Sequence, residues 1–122
     1  MAEVEVKGLA QVALRVSDLD RAKSFYGERL GLPHLFDAEP RLAFFQAGAS
    51  RLMLSEAPDA AGPEMTILYY GVEDVAAAHG ALVGTGGPRD QAPRIITTLE
   101  GRDVWLAFVE DGVGNVVGLI SG

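Results

Sequence analysis

An internal repeat is the feature that most constrains how this chain can fold. The segment 11–22, which begins QVALRVSD, returns fifty-six residues later as the segment 67–78, which begins ILYYGVED. Four positions keep their residue type: Val16 returns as Val72, Asp18 as Asp74, Ala22 as Ala78 and Gly31 as Gly87. A second echo joins LAFF at 42–45 to LAFV at 106–109, sixty-four residues apart, so the second copy carries eight extra residues between these landmarks. Two copies of one supersecondary unit predict a pseudo-symmetric domain.

The chain has 122 residues, which is enough for one domain with a buried core. We predict a single domain over 1–122, with a first module at about 8–56 and a second module at about 64–120. Between them, the segment 57–63 has the sequence APDAAGP. Because it has two prolines and no hydrophobic periodicity, we predict that it is a linker.

Composition excludes several classes of function. The absence of cysteine excludes disulfides, thiolate catalysis and cysteine-ligated zinc or iron–sulfur sites. A net charge of −7 disfavours nucleic acid and anionic membranes as partners and permits attraction of a cationic ligand. No basic segment leads into an apolar run near the N-terminus, and no apolar stretch reaches the roughly 18 residues of a membrane span. We therefore expect a cytoplasmic protein without nucleic-acid or membrane partners.

Hydrophobic periodicity predicts the same order of elements in each half. Residues 10–16 alternate as a half-buried strand does, and Ser17 or Asp18 then caps a helix that Gly31 ends. The apolar stripe of this helix has helical spacing: Leu19, Ala22, Phe25, Tyr26 and Leu30. The other predicted elements are strands near 35–37, 41–46, 51–55, 66–72, 94–98, 103–109 and 116–120, and a helix at about 74–83. Each half is therefore predicted to be β-α-β-β-β.

Several short motifs follow one another in a characteristic order. In the first half these are QVALRVSD at 11–18, SFY at 24–26 with LGL at 30–32, and RLML at 51–54; in the second half they are YGVED at 70–74, WLAF at 105–108 and DGVGN at 111–115. Together they resemble the vicinal oxygen chelate superfamily, the group of glyoxalase I, bleomycin-resistance proteins and extradiol dioxygenases. The last motif departs from the superfamily's Asp-Pro-Asp-Gly-Asn turn, with Gly112 and Val113 in place of Pro and Asp. The resemblance implies an α+β fold in which two tandem βαβββ modules form a curved eight-stranded mixed sheet, a cup, with the helices outside.

The resemblance also implies where a metal would bind. Enzymes of the group hold a divalent ion with His, Gln or Glu, one near the start of the first strand and one on the last strand of each module. The matching positions here are Gln11, Met53, Ile67 and Gly118. Only Gln11 offers a suitable donor, and a stable site needs three or four. Shifting the alignment of the strands by one residue would place Gln46 or Thr66 at a ligand position. The same shift would turn the apolar residues of each strand to the wrong face of the sheet. We therefore expect no metal and no cofactor.

Alternation along the strands predicts which side chains face the cup. The candidate ligand-binding residues are Gln11, Arg15, Arg51, Met53, Ile67, Tyr69, Trp105 and Gly118. Apolar walls with a few polar anchors are typical of a small-molecule site. Alternatives remain open: Met53 and Ile67 could fill a collapsed core, Arg15 could pair at the rim, and Trp105 could pack in the core or at a dimer contact.

Three hypotheses of function follow. The first is a metal-free protein that captures a small organic molecule, as drug-sequestering members of the group do. The second is a metal-dependent lyase, isomerase or dioxygenase that recruits Gln11, His34 and Glu56 as ligands. Separately, His34 could reach the mouth of the cup as an acid–base group. The third is a structural or interaction module that lost its site. The resemblance implies a homodimer, with each cup closed within one chain or by exchange of modules. Whether a reaction is catalysed stays open.

Overall fold

Two compact units, residues 1–59 and 60–122, make up the chain. The computed structural model describes residues 7–57, 67–82 and 87–121, and of Leu99 only the backbone. Most of the predicted linker 57–63 and the predicted strand start at Thr66 lie outside the described residues.

The first unit is one helical stretch and a four-stranded sheet. Its elements are β1 (Gln11–Val16), α1 (Leu19–Lys23), a π-helical segment (Ser24–Arg29), β2 (His34–Ala38), β3 (Leu42–Ala47) and β4 (Ser50–Glu56). The strand order is β1-β4-β3-β2. β1 runs parallel to β4, and the other two pairs are antiparallel.

The second unit repeats this topology. Its elements are β5 (Leu68–Gly71), α2 (Val75–Leu82), β6 (Gln91–Leu99), β7 (Arg102–Glu110) and β8 (Val116–Ile120), in the sheet order β5-β8-β7-β6. The predicted α+β class with two tandem βαβββ modules is thereby confirmed. β6 and β7 have nine residues each, whereas β2 has five and β3 has six. The extra residues of the second copy therefore lengthen the β6–β7 hairpin relative to the β2–β3 hairpin.

The repeated aspartates begin the two helices. Asp18 Oδ1 accepts a hydrogen bond of 3.1 Å from the backbone N–H of Arg21, and Asp74 Oδ1 accepts one of 3.0 Å from Ala77. Such caps satisfy N–H groups that have no partner within the first turn of a helix. Of the two predicted caps, Ser17 and Asp18, the structure selects Asp18.

Each helix packs on one face of its own sheet. α1 contacts β3 and β4, and α2 contacts β6, β7 and β8. The residues buried on the helix side include Val16, Leu19, Ala22, Phe25, Tyr26, Ala43, Phe45, Leu52 and Leu54 in the first unit and Val75, Leu82, Ala107, Val109, Val117 and Leu119 in the second. We call the opposite face of each sheet its far face. Because successive strand residues alternate between faces, the far face carries the other residue set.

The first helix departs from the prediction after one turn. From Ser24 onward it widens into the π-helical segment, and the N–H of Leu30 bonds to the carbonyl of Phe25, five residues back, at 2.8 Å. The stop at Gly31, with φ +83°, is as predicted. No helix among the described residues is long and apolar enough to cross a membrane.

Candidate functional site

Three predicted site residues meet on the far face of the first sheet. Gln11 of β1 lies opposite Arg51 of β4, and Met53 follows Arg51 by two positions and so shares its face. The Arg51 Nε donates a hydrogen bond of 2.7 Å to Gln11 Oε1, and Gln11 Nε2 lies 4.0 Å from Met53 Sδ. Arg15, four positions beyond Gln11 on β1, is on the same face and exposed. The structure thus brings together the first-unit residues that alternation selected.

Two phenylalanines extend this group, and sequence analysis missed them. Phe44 of β3 lies opposite Met53, and Phe36 of β2 lies opposite Phe44. The two rings stack, with centroids 4.4 Å apart and planes at 20°. The Arg51 guanidinium carbon lies 5.8 Å from the Phe44 centroid, within cation–π range. The signal was present, because alternation from Met53 across the predicted 41–46 and 51–55 hairpin leads to Phe44.

We call this connected set, formed by Phe36, Phe44, Arg51, Gln11 and Met53, the first-sheet cluster. It combines an aromatic stack, a thioether, an amide and a cation. Phe36 is 46% exposed and Arg51 is exposed, so both offer surface to an incoming molecule. An apolar surface with a few oriented polar groups is the usual composition of a small-molecule site.

In the second unit, an aromatic ring covers the glycine at the fourth predicted ligand position. Tyr69 of β5 lies opposite Gly118 of β8. A Cβ added at Gly118 would lie 2.6 Å from Tyr69 Cδ2, so the ring rests directly on the glycine backbone. Phe108 of β7 also lies opposite Gly118, and its ring meets Tyr69 edge to face at 5.9 Å. Tyr69 stays 51% exposed.

The remaining two predicted residues are placed differently. Ile67 directly precedes β5 and is half-buried. Trp105 alternates with Leu106 along β7 and lies opposite Ile95 of β6, which puts it on the face away from Phe108 and Tyr69. It is 40% exposed there. The structure therefore does not bring Trp105 together with the far-face residues of its own sheet.

A divalent metal does not fit the four positions that the resemblance assigns. Gln11 Oε1 already accepts a hydrogen bond from Arg51, Met53 has only a soft thioether, and Ile67 and Gly118 have no donor. Among residues 7–57, 67–82 and 87–121, no three His, Asp or Glu side chains cluster in a way that could hold a metal ion. These four positions therefore do not provide the three or four donors that a stable divalent-metal site needs.

The alternative ligand set, which adds His34 and Glu56 to Gln11, is not assembled either. His34 lies opposite the buried Phe45, on the helix side of the sheet. Its Nε2 is 2.8 Å from Asp37 Oδ1, while Lys23 Nζ is 2.7 Å from Asp37 Oδ2. These hydrogen bonds, first that of Lys23 and then that of His34, lower the pKa of the Asp37 carboxyl. His34 is thus engaged away from the face that carries Gln11.

Glu56 has a structural role at the end of β4. Its Oε2 accepts a hydrogen bond of 2.9 Å from the backbone N–H of Leu19, at the start of α1. Arg41 contacts both carboxylate oxygens, with Nε 3.1 Å from Oε1 and Nη2 3.2 Å from Oε2. The bond from Arg41, and next that from Leu19, lowers the pKa of Glu56. The Glu56 carboxylate therefore connects β4 to α1 and to the turn before β3.

Two grooves in the first unit lie away from the cluster. One, of about 460 Å³, borders the π-helical segment and the entry to β2, with His34 and Phe45 in its wall. The other, of about 270 Å³, lies beside the turn between β2 and β3. Neither is lined by a predicted ligand-binding residue, so the far face of the first sheet remains the candidate site.

The fold and the site together define a βαβββ-repeat protein of the α+β class in which only one of the four assigned metal positions has a suitable donor. A family model for the Glyoxalase/Bleomycin resistance protein/Dioxygenase superfamily matches residues 8–118, and the chain therefore belongs to that superfamily. This confirms the resemblance drawn from the sequence. No curated protein matches the chain.

Solved structures share the fold at low sequence identity. A lactoylglutathione lyase from Agrobacterium tumefaciens is 18% identical, with a TM-score of 0.71 over 96% of this chain and 95% of that one. An antibiotic-binding protein from Streptomyces sp. CB03234 is 22% identical, with a TM-score of 0.70 over 98% of both chains. A fosfomycin resistance protein from Listeria monocytogenes is 14% identical, with a TM-score of 0.73 over 97% of this chain and 95% of that one. At these identities the likeness concerns the fold alone.

Proposed function

We propose that this protein binds a small organic molecule reversibly and without a metal ion, through the far face of the first sheet. The observation that carries the proposal is the first-sheet cluster, in which Phe36 and Phe44 stack and Arg51 joins them to Gln11. A planar ligand would gain aromatic stacking at this surface and hydrogen bonds from Arg51 and Gln11. Capture of this kind needs no nucleophile and no general base.

The comparisons support a role in handling foreign compounds. One structural neighbour is named as an antibiotic-binding protein and another as a fosfomycin resistance protein. Sequestration would fit the scarcity of metal-binding side chains at the four assigned metal positions, since binding a molecule without converting it requires no Lewis acid. We therefore infer antibiotic or xenobiotic sequestration as the biological role.

The test is a thermal-shift screen of chelator-treated protein against planar aromatic antibiotics and aromatic fragments, followed by calorimetry of the hits. Binding to the folded state alone stabilises it by about 2.7 kcal/mol at a hundredfold excess over Kd. We expect Phe36→Ala to weaken a hit by roughly tenfold, because base-sized aromatic stacking contributes about 1–3 kcal/mol.

Ile95→Ala is the matched control, because Ile95 is also an exposed apolar strand residue but lies in the second unit beside Trp105. Mass spectrometry of the recovered ligand separates capture from chemistry. An unchanged ligand supports sequestration. A converted ligand, or hits that Phe36→Ala and Ile95→Ala weaken equally, would contradict the proposal.

A further inference from the structure

The far face of the first sheet carries positive charge although the whole chain has a net charge of −7. Its charged side chains on β1–β4 are Arg15 and Arg51. The two carboxylates on these strands point the other way: Asp37 contacts Lys23 of α1, and Glu56 contacts the first residue of α1. Among the strand residues of the first unit, the charge on the far face is thus opposite in sign to the net charge of the chain.

Arg51 is oriented for an anion. Arg51 Nε donates a hydrogen bond of 2.7 Å to Gln11 Oε1, and the Arg51 guanidinium lies over Phe44. None of the described carboxylates pairs with Arg51 within the first unit, and its two terminal amino groups make no hydrogen bond to a described residue. A guanidinium fixed along one edge presents its other edge as a two-pronged donor, which matches the geometry of a carboxylate.

The aromatic stack lies beside this donor. Phe44 contacts both Arg51 and Phe36, and its strand β3 lies between the strands of these two residues. The exposed ring of Phe36 is therefore next to the ring that Arg51 contacts. A fused two-ring molecule with an acidic group at its edge could contact both at once. A cation in the same place would meet Arg51 with like charge.

Resting on the proposed function, we propose that the ligand is a planar aromatic anion, such as an aryl carboxylate, and not a cation. Gln11 is a positioning residue that orients Arg51, and Arg51 receives the anionic group while Phe36 and Phe44 receive the ring. This reverses the expectation from net charge, because salt at physiological concentration screens distant surface charges over about 8 Å while the contact with Arg51 persists.

The experiment compares three probes that share one ring system: 2-naphthoate, 2-naphthamide and 2-(aminomethyl)naphthalene, titrated by calorimetry at about 150 mM salt. We expect 2-naphthoate to bind roughly tenfold more tightly than 2-naphthamide, because hydrogen bonds to charged groups are about twice as strong as neutral ones. The amine should bind most weakly. Arg51→Gln should abolish the preference for the acid, and Arg51→Lys should retain part of it.

Arg21→Gln is the matched control, since it removes one positive charge from an exposed position on α1, on the other side of the sheet. It should leave all three affinities unchanged. Phe36→Leu should weaken the three probes alike without altering their order, which separates stacking from charge recognition. Equal melting temperatures of Arg51→Gln and Arg21→Gln would show that neither variant is unfolded.

The outcomes separate the two proposals. Equal binding of the three probes, or tighter binding of the amine, would overturn the inference and leave the proposed function intact. Binding of none of them, when a screened antibiotic does bind through Phe36, would also overturn the inference alone. Failure of every probe and every screened compound would overturn both. An acid preference that Arg21→Gln lowers as much as Arg51→Gln would show general charge attraction and refute the role of Arg51.

Discussion

The contact between Tyr69 and Gly118 shows how a neighbouring side chain can require glycine at one position. The Tyr69 ring lies against the backbone of Gly118, where any β-carbon would overlap Cδ2 and Cε2 at 2.6 and 2.9 Å. The conformation of the glycine is not the reason, because no left-handed φ is involved. The constraint is the space taken by the ring, which Phe108 contacts on its edge.

At this scale we predict that Gly118→Ala destabilises the protein by about 1–3 kcal/mol, because the ring or the strand must move to accept the methyl group. The same substitution in a Tyr69→Ala background should cost much less, since the overlapping ring is gone. Urea unfolding of the four members of this double-mutant cycle measures the coupling.

Gly80→Ala is the control for glycine replacement as such. Gly80 lies within α2, and an added Cβ there meets nothing within 4 Å. We expect it to raise the free energy of unfolding by about 0.5–1 kcal/mol through helix propensity. An equal cost of Gly118→Ala with and without Tyr69 would contradict the overlap argument.

The turn at Asp111 was predictable from the sequence as an Asx-type loop with two glycines. Asp111 Oδ1 accepts hydrogen bonds of 2.9 Å from the N–H groups of Val113 and Asn115, and Oδ2 accepts one of 2.8 Å from Asn115 Nδ2. Gly112 and Gly114 have φ of +80° and +110°. Such a turn follows from sequence because all of its partners lie within four residues, where local rules suffice.

At the scale of elements, Glu56 joins three parts of the first unit. It ends β4, accepts the first N–H of α1 from Leu19, and pairs with Arg41 before β3. The pKa of Glu56 is lowered from its ordinary value of 4.5, chiefly by the hydrogen bond from Arg41. A lowered carboxyl pKa contributes stability that is present above the unfolded-state value and is lost as pH falls through the folded-state value.

We therefore predict that Glu56→Gln lowers the free energy of unfolding at neutral pH, where the native side chain is charged. The difference from the native protein should shrink below about pH 4.5 and vanish once Glu56 is protonated in the folded state. Urea unfolding at about pH 7 and about pH 3 measures this difference. Glu73→Gln serves as control, since Glu73 is exposed and makes no ion pair with the described residues. If Glu56→Gln lowered the free energy of unfolding by the same amount at both pH values, the role of the Glu56 charge would be refuted.

The π-helical segment could not be predicted from the apolar stripe. Helical spacing selected Phe25 and Tyr26 correctly as buried residues, and both are almost fully inaccessible. Spacing alone does not distinguish a bond to the fourth preceding carbonyl from one to the fifth. Within the segment, the rings of Phe25 and Tyr26 meet edge to face with centroids 5.0 Å apart.

At the scale of the whole molecule, the donor set predicts the response to metal ions. We expect zinc, nickel, cobalt, manganese and iron to leave the melting temperature of chelator-stripped protein unchanged, because stable sites need three or four donors and the assigned positions have one. Differential scanning calorimetry with each ion checks this. A saturable rise with one metal that Gln11→Ala abolishes, while Gln46→Ala does not, would contradict the ligand assignment and favour a metal-dependent enzyme.

The homodimer implied by the resemblance stays a prediction at this scale. Sedimentation equilibrium over a range of concentrations tests it directly. A single species with the mass of one chain, 12.9 kDa, would refute it.

The sequence by itself determined the repeat, the order of elements, the place where each helix begins and the side of β1 and β4 that packs beneath a helix. These features follow from hydrophobic periodicity and from contacts within a few residues, both of which can be read from a short segment of sequence. For the same reason it identified Gln11, Arg51 and Met53 as residues of one face. It also showed that only one of the four assigned metal positions, Gln11, has a suitable donor.

Only the tertiary structure decided which of these side chains touch. The stack of Phe36 on Phe44 depends on the register of the consecutive strands β2 and β3, which shifts between His34 and Phe36. The hydrogen bond from Arg51 to Gln11 and the ring over Gly118 depend on the register between strands that are distant in sequence. The placement of Trp105 away from Tyr69 depends on it as well. Alternation fixes which face a side chain occupies, but the residue that it meets on a strand without a shared turn, or beyond a register shift, depends on how the strands pair.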